Sequence, residues 1–174
     1  MNEIIHTMVL IALQVKGAFD GIVELKAPEE WVFTIQQSGG SETRGPVHIR
    51  ADNEEEIPGS RGVTNFLVSF EGSKKTSYIT VEKSNNIAAA DAEDDFVTIG
   101  EFDCRGAEPV EWHWKETTTF AAVAEDNDEA FEELDFTEGD WYDVTDGGNS
   151  VGISDIEYRF EVVKKGKKGG KKRK

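Results

Sequence analysis

A single cysteine, Cys104, leaves this chain of 174 residues no partner for an internal disulfide and fits a reducing compartment. Long apolar runs are missing too. The longest, Met8 to Leu13, falls far short of the roughly 20 residues a membrane helix needs, so no span is expected. No basic segment precedes it, and no secretory signal is read at the start. Histidine is scarce: His6, His48 and His113 lie far apart in sequence, without the pairing that acid–base catalysis requires. There is no phosphate loop either, because Gly166-Lys-Lys-Gly-Gly-Lys-Lys172 lacks the Gly-Lys-Ser/Thr ending and a strand–helix setting.

Charge is abundant and unevenly placed. The formal net charge of −16 conceals a C-terminal run, Lys164 to Lys174, with eight basic residues and no acidic one. Residues 1–163 therefore carry 11 Lys+Arg against 35 Asp+Glu, a net of −24. Such a body repels nucleic acid, whereas the run attracts polyanions at low salt. Being low in complexity, the run is expected to be disordered. Its candidate contacts to an anionic partner are Lys164, Lys165, Lys167, Lys168, Lys171, Lys172, Arg173 and Lys174. Two uses are open, a solubilising tail folded back on the acidic body or a targeting or RNA contact.

Along the chain, short apolar stretches of period two alternate with Gly and Pro turns, which predicts a mostly β protein, sandwich-like or of paired sheets. Ile11, Leu13 and Val15 alternate with polar or small residues. Trp31 to Ile35, Gly62 to Glu71, Tyr78 to Val81, Val97 to Cys104, Trp112 to Trp114 and Ile153 to Val163 read as further strands. The stretch Phe102-Asp-Cys-Arg-Gly-Ala-Glu-Pro-Val110 reads as a strand that stops at Gly106, kinks at Pro109 and restarts at Val110. Val15-Lys-Gly-Ala18 echoes Cys104-Arg-Gly-Ala107, and Gly62–Glu71 aligns with Gly152–Glu161, at offsets of 89 and 90 residues. Together they suggest a repeated β unit. The division expected is an N-terminal β half at 8–83, a linker at 84–95, a C-terminal β half at 96–163 and a basic tail at 164–174. One or two short helices are expected, in the linker and at Glu125–Phe136, where Phe131 and Leu134 stand three apart.

Residues with chemistry mostly have plainer uses. Cys104 beside Arg105 could be an activated thiol, but free cysteine is more often a buried packing residue. The acidic run Glu125-Asp-Asn-Asp-Glu129 fails as a calcium loop, since Ala130 and Phe131 stand where an oxygen ligand and the turn glycine belong. The four tryptophans are better suited to packing than to lining a cleft.

Phe102 to Val110, Gly59-Ser-Arg-Gly62 with Asn65-Phe66, Ser150-Val-Gly-Ile153, Ile11-Ala-Leu-Gln-Val15 and Trp141 together resemble the eukaryotic CXXC-motif-containing zinc-binding protein family, from about Met8 to Val163. The resemblance implies an all-β intracellular protein of two related halves, with one zinc held by two C-x-x-C pairs in the first half. It carries no reaction. The family's cysteine positions fall on Gln37 and Gly40, then on Phe70 and Ser73, so no thiolate remains. A structural zinc site needs four N or S ligands, and the expectation is no zinc and no other cofactor. The repeat further pairs Phe70 with Phe160, suggesting an inward aromatic in place of the metal.

The expected function is therefore that of a non-enzymatic binding or scaffold protein, monomeric and cytoplasmic, with nuclear entry open through the tail. A protein partner is expected. The alternative is an RNA or ribonucleoprotein-associated protein acting through the lysine run.

Overall fold

The computed structural model describes residues 7–165. In chain order the strands are β1 (Met8–Asp20), β2 (Ile22–Lys26), β3 (Glu30–Gln37), β4 (Thr43–Arg50), β5 (Glu55–Glu56), β6 (Val63–Thr64), β7 (Phe66–Val68), β8 (Ser77–Ser84) and β9 (Ile87–Ala88). A single-turn helix α1 (Ala89–Ala92) leads into β10 (Val97–Arg105), β11 (Ala107–Trp112), β12 (Ala121–Ala124), β13 (Ala130–Glu132), β14 (Trp141–Val144) and β15 (Ser150–Lys165). The fold is mostly β, as the alternating pattern predicts.

β1 lies in the middle because Val9, Ile11, Leu13 and Val15 bury one face of a strand whose two edges are both paired. It runs antiparallel to β10 on one side and β15 on the other, within the six-stranded order β14-β15-β1-β10-β8-β7. Two smaller sheets, β11-β3-β4 and β13-β12-β2-β9, curl against it. Each of these three sheets draws strands from both 8–83 and 96–163. The strand leaves the large sheet for a smaller one at a glycine in two places: Gly21 (φ +68°) between β1 and β2, and Gly106 (φ +85°) between β10 and β11. Positive φ is open to glycine at little steric cost, so the chain can turn there without breaking either ladder.

The core is aromatic where the sheets meet. Phe102 of β10 packs T-shaped against Trp31 and Phe33 of β3, with ring centroids 5.1 and 5.2 Å apart. Phe33 in turn meets Phe160 of β15 at 5.7 Å. Gly100 faces this cluster, and a Cβ there would fall 2.9 Å from the Trp31 ring. All four tryptophans are buried, so packing is their role.

Several expectations are corrected. Glu125–Phe136 is not a helix: after a 3-10 turn at Asp126–Asp128, where Asn127 and Asp128 take positive φ, the chain forms β13 on the edge of β12. The Asp126 carboxylate accepts hydrogen bonds from Thr145 Oγ1 and Asn149 Nδ2, which hold its pKa below the usual carboxylate range. A nonlocal tie thus overrides a local pattern. The strand after Gly106 restarts at Ala107, not Val110, and Pro109 pairs within it, opposite Ile35. Trp112 ends β11, and Trp114 begins a 3-10 turn instead of continuing a strand.

The ninety-residue repeat is not reproduced. Gly152–Glu161 lies within β15, whereas Gly62–Glu71 is broken into β6, β7 and a loop, so Phe70 and Phe160 are not equivalent. A correspondence exists instead in strand order: β7-β8-β10 with β14-β15-β1, and β4-β3-β11 with β13-β12-β2. In it β8, not Gly62–Glu71, matches β15. The C-terminal strand also runs further than expected, pairing Lys164 with Leu10 and Lys165 with Val9, so the tail can begin no earlier than residue 166. Beyond that point, Lys167, Lys168, Lys171, Lys172, Arg173 and Lys174 lie outside the described residues.

What breaks Gly62–Glu71 is Asn65. Its buried side chain donates to the carbonyls of Ala51 (3.2 Å) and Asn53 (2.8 Å) and accepts the Val81 N–H at 2.7 Å. One amide therefore joins the β4–β5 connection to β8. Asn65→Ala leaves two carbonyls and an N–H without this partner, and urea unfolding should show a loss of about 1–3 kcal/mol. An unchanged midpoint would mean that water replaces the amide.

Candidate functional site

Gln37 and Gly40 bound the reverse turn that follows β3. The Gly40 N–H donates to the Gln37 carbonyl at 3.1 Å, and Gly39 takes φ +75°. Ser38 N–H donates to the Gly106 carbonyl at 3.0 Å, which ties this turn to the bend between β10 and β11. Phe70 and Ser73 bound a second turn of the same form: the Ser73 N–H donates to the Phe70 carbonyl at 3.1 Å, with Gly72 at φ +79°. The four residues singled out from the sequence therefore occupy the first and last places of two turns of one design.

Their side chains do something other than converge on an ion. Phe70 is 3% exposed and joins the hydrophobic core. The Gln37 amide folds over its own turn, its Oε1 only 2.7 Å from where a Cβ on Gly40 would sit. Ser73 Oγ is engaged with Lys75, donating to its carbonyl at 3.2 Å. That leaves one amide and one hydroxyl as donors, with no thiolate or imidazole, and such a set does not fit zinc. Among the described residues no group of three or more His, Cys, Asp or Glu is placed to hold a metal.

One cation does stand in this region, unmarked by any local pattern. Arg44, on β4, places its guanidinium carbon 5.2 Å from the centroid of the Phe70 ring. The same group donates to the Glu42 carboxylate at 2.7 and 3.1 Å and to the Ser69 carbonyl at 3.0 Å.

Cys104 lies on β10 and is 1% exposed, its thiol donating to the Phe102 carbonyl at 3.6 Å. Burial, followed by the nearby carboxylates of Glu108 and Asp103, pushes its pKa well up. Arg105 does not counter this, since its guanidinium is turned onto Asp103 at 3.0 and 3.2 Å. The thiol is a packing group.

Of the histidines, His48 pairs with Glu30 at 3.3 Å, while His6 lies outside the described residues. His113 is paired, contrary to expectation: Nδ1 is 3.4 Å from Glu116, three residues on, and Nε2 is 2.7 Å from Thr34 Oγ1. Hydroxyl, imidazole and carboxylate stand in the order of an activated nucleophile. Here, however, the hydroxyl is covered by β4: a Cβ built on Gly45 would lie 2.6 Å from it, which denies a substrate carbonyl its approach. The trio fastens β3 to the chain leaving β11. The acidic residues Asp126 and Glu129 are likewise engaged, Glu129 accepting the Asp146 N–H at 2.8 Å. No helix among the described residues is long and apolar enough to cross a membrane.

Residues 12–161 match the model of the family described as CXXC motif containing zinc binding protein, eukaryotic. A UPF0587 protein of Drosophila melanogaster is 30% identical over 165 residues, covering 91% of this chain and 100% of its own. The CXXC motif containing zinc binding protein of Homo sapiens is 29% identical over 157 residues, covering 86% and 96%. Among solved structures, the crystal structure of C1orf123 superposes with a TM-score of 0.79 at 28% identity, covering 88% of this chain and 99% of that one. The chain belongs to the eukaryotic CXXC-motif zinc-binding protein family, as a divergent member with one cysteine.

A raised thiol pKa and near-complete burial make Cys104 inert while the chain is folded. A disulfide reagent such as DTNB should titrate less than about a tenth of a thiol per chain in native buffer at pH 8 and one in denaturant. Rapid native labelling would show β10 to be far more open than its packing implies.

Proposed function

We propose that this protein is a non-enzymatic binding protein of its family that works without zinc. The observation that carries this reading is the donor set at the two turns: an amide, a buried phenyl ring, a hydroxyl and a glycine at the places the resemblance assigns to thiolates. A fold that does not depend on a metal is indifferent to zinc supply and to oxidation of ligating thiols. Its acidic body, −24 over residues 1–163, suits a basic protein partner, which electrostatic attraction would steer to it. The reading takes the protein as monomeric and cytoplasmic, entering the nucleus where the lysine run serves as an import signal.

A second reading rests on that run. Eight basic residues without an acidic one form a polyanion-binding segment, and an RNA or ribonucleoprotein contact would place the folded body as its scaffold. The two readings separate by salt dependence and truncation. Because Lys164 and Lys165 belong to β15, the informative truncation ends the chain at Lys165. If RNA is the target, affinity for a labelled single-stranded RNA should fall steeply between 50 and 200 mM salt and vanish on truncation, with a log–log slope of about −0.7 per phosphate neutralised. Equal RNA binding by the truncated chain would dismiss the tail reading.

For the zinc-free reading, metal analysis of protein purified without added metal should give well under a tenth of a zinc per chain. EDTA should leave the thermal midpoint in place. Stoichiometric zinc, or a midpoint lowered by the chelator, would overturn it.

A further inference from the structure

The two turns at the family's cysteine positions belong to different hairpins, and a metal bound to both would tie them together. In this chain one side chain, on the strand that follows the first turn, reaches the second, and Glu42 links it back to the first. The Glu42 carbonyl accepts the Gln37 N–H at 2.9 Å, closing the loop that holds the first turn, and the Glu42 carboxylate holds Arg44. The Nη2 that bonds Glu42 also donates to the carbonyl of Ser69, and the guanidinium lies over the ring of Phe70, where the second turn begins. The connection runs from Gln37 through Glu42 and Arg44 to Ser69 and Phe70 without a gap.

We propose that the Arg44 guanidinium, held by Glu42 and stacked on Phe70, takes over the cross-linking role of the zinc ion. The inference rests on the zinc-free reading above and adds to it the residue that replaces the metal. Physical chemistry supports the exchange at three points. First, guanidinium is planar, always charged and carries five donors, so it can serve a carboxylate, a carbonyl and a ring face at once, which lysine cannot do. Second, the phenyl ring in the place of a thiolate supplies a negative face that attracts the cation. Third, the charge balance is local: Glu42 offsets Arg44, where a divalent ion would have required thiolates. A fixed cation at this spot also opposes entry of a divalent one. Since the Arg44 side chain is 38% exposed and that of Glu42 32%, the ion pair alone is weak, and the stacking and the carbonyl bond must carry much of the tie.

The test is a set of unfolding curves in metal-free buffer. Arg44→Met keeps the length and apolar stem but loses the fork, and should raise the unfolding constant roughly five- to tenfold. Arg44→Lys keeps the charge and should recover less than half of that loss. In a Phe70→Ala background, Arg44→Met should cost clearly less than in the parent, because the two groups act together. A parent-like midpoint for Arg44→Met, or an equal cost with and without Phe70, would overturn the proposal. A second arm changes Gln37, Gly40, Phe70 and Ser73 to cysteine and loads zinc. There Arg44→Met should cost less with zinc bound than after chelation, since the metal supplies the tie, whereas equal costs in the two states would contradict the substitution. Should the four-cysteine chain fail to fold, the cycle in the parent decides alone. Finding zinc in the parent would sink the zinc-free reading itself. A neutral Arg44→Met in a zinc-free parent would sink only the role given to Arg44.

Discussion

The near-perpendicular packing of Phe102 with Trp31 and Phe33 is the contact on which the rest of this molecule depends. It sits where β10 of the six-stranded sheet crosses β3 of the smaller one, and all three rings are at most 1% exposed. Each such ring buries on the order of 150–250 Å², and an edge-to-face pair adds roughly 0.5–1.5 kcal/mol beyond area. The cluster also sets local sequence: Gly100 must remain without a side chain because Trp31 occupies that space. With the sheets pinned there, β3 and β7 are fixed before the turns that follow them are considered.

That order explains how a zinc family can hold a member with none of the zinc cysteines. In small metal-folded peptides the ion supplies about 10–16 kcal/mol because no other core exists. Here the strands leading into both turns are already held by packing. The turns need only a local closure, which their own i to i+3 hydrogen bonds provide, and something to keep them together. Burial of Phe70, worth about 1.5–3 kcal/mol, is one such contribution, and the reach of Arg44 from one loop to the other is a second. The glycines at 39 and 72 give both turns their tight conformation.

Much of the β character was legible. Ile11, Leu13 and Val15 announce a half-buried strand because period two is a local property, and Gly106 announces a break. What could not be read is whatever depends on residues far away. Phe131 and Leu134 fit a helix until β12 offers an edge and Thr145 and Asn149 claim Asp126. Gly62–Glu71 fits one long strand until Asn65 is seen bonding Ala51, Asn53 and Val81. The apparent repeat misled for a related reason: strand order, not residue-by-residue likeness, carries the correspondence between the two flanks of β1 and β10. At the candidate site the resemblance pointed to Gln37, Gly40, Phe70 and Ser73, yet Arg44 was invisible, because nothing local distinguishes a guanidinium that spans two loops from one in solvent. His113 with Thr34 was hidden for the same reason.

The claim that packing, with no ion, holds both turns can be read directly from native-state hydrogen exchange of the Gly40 and Ser73 amides in chelator-treated buffer. Both amides donate within their turns, so the account expects protection of each, unchanged when zinc is added. Exchange at the rate of an unstructured peptide, or protection that emerges only with zinc, would contradict it.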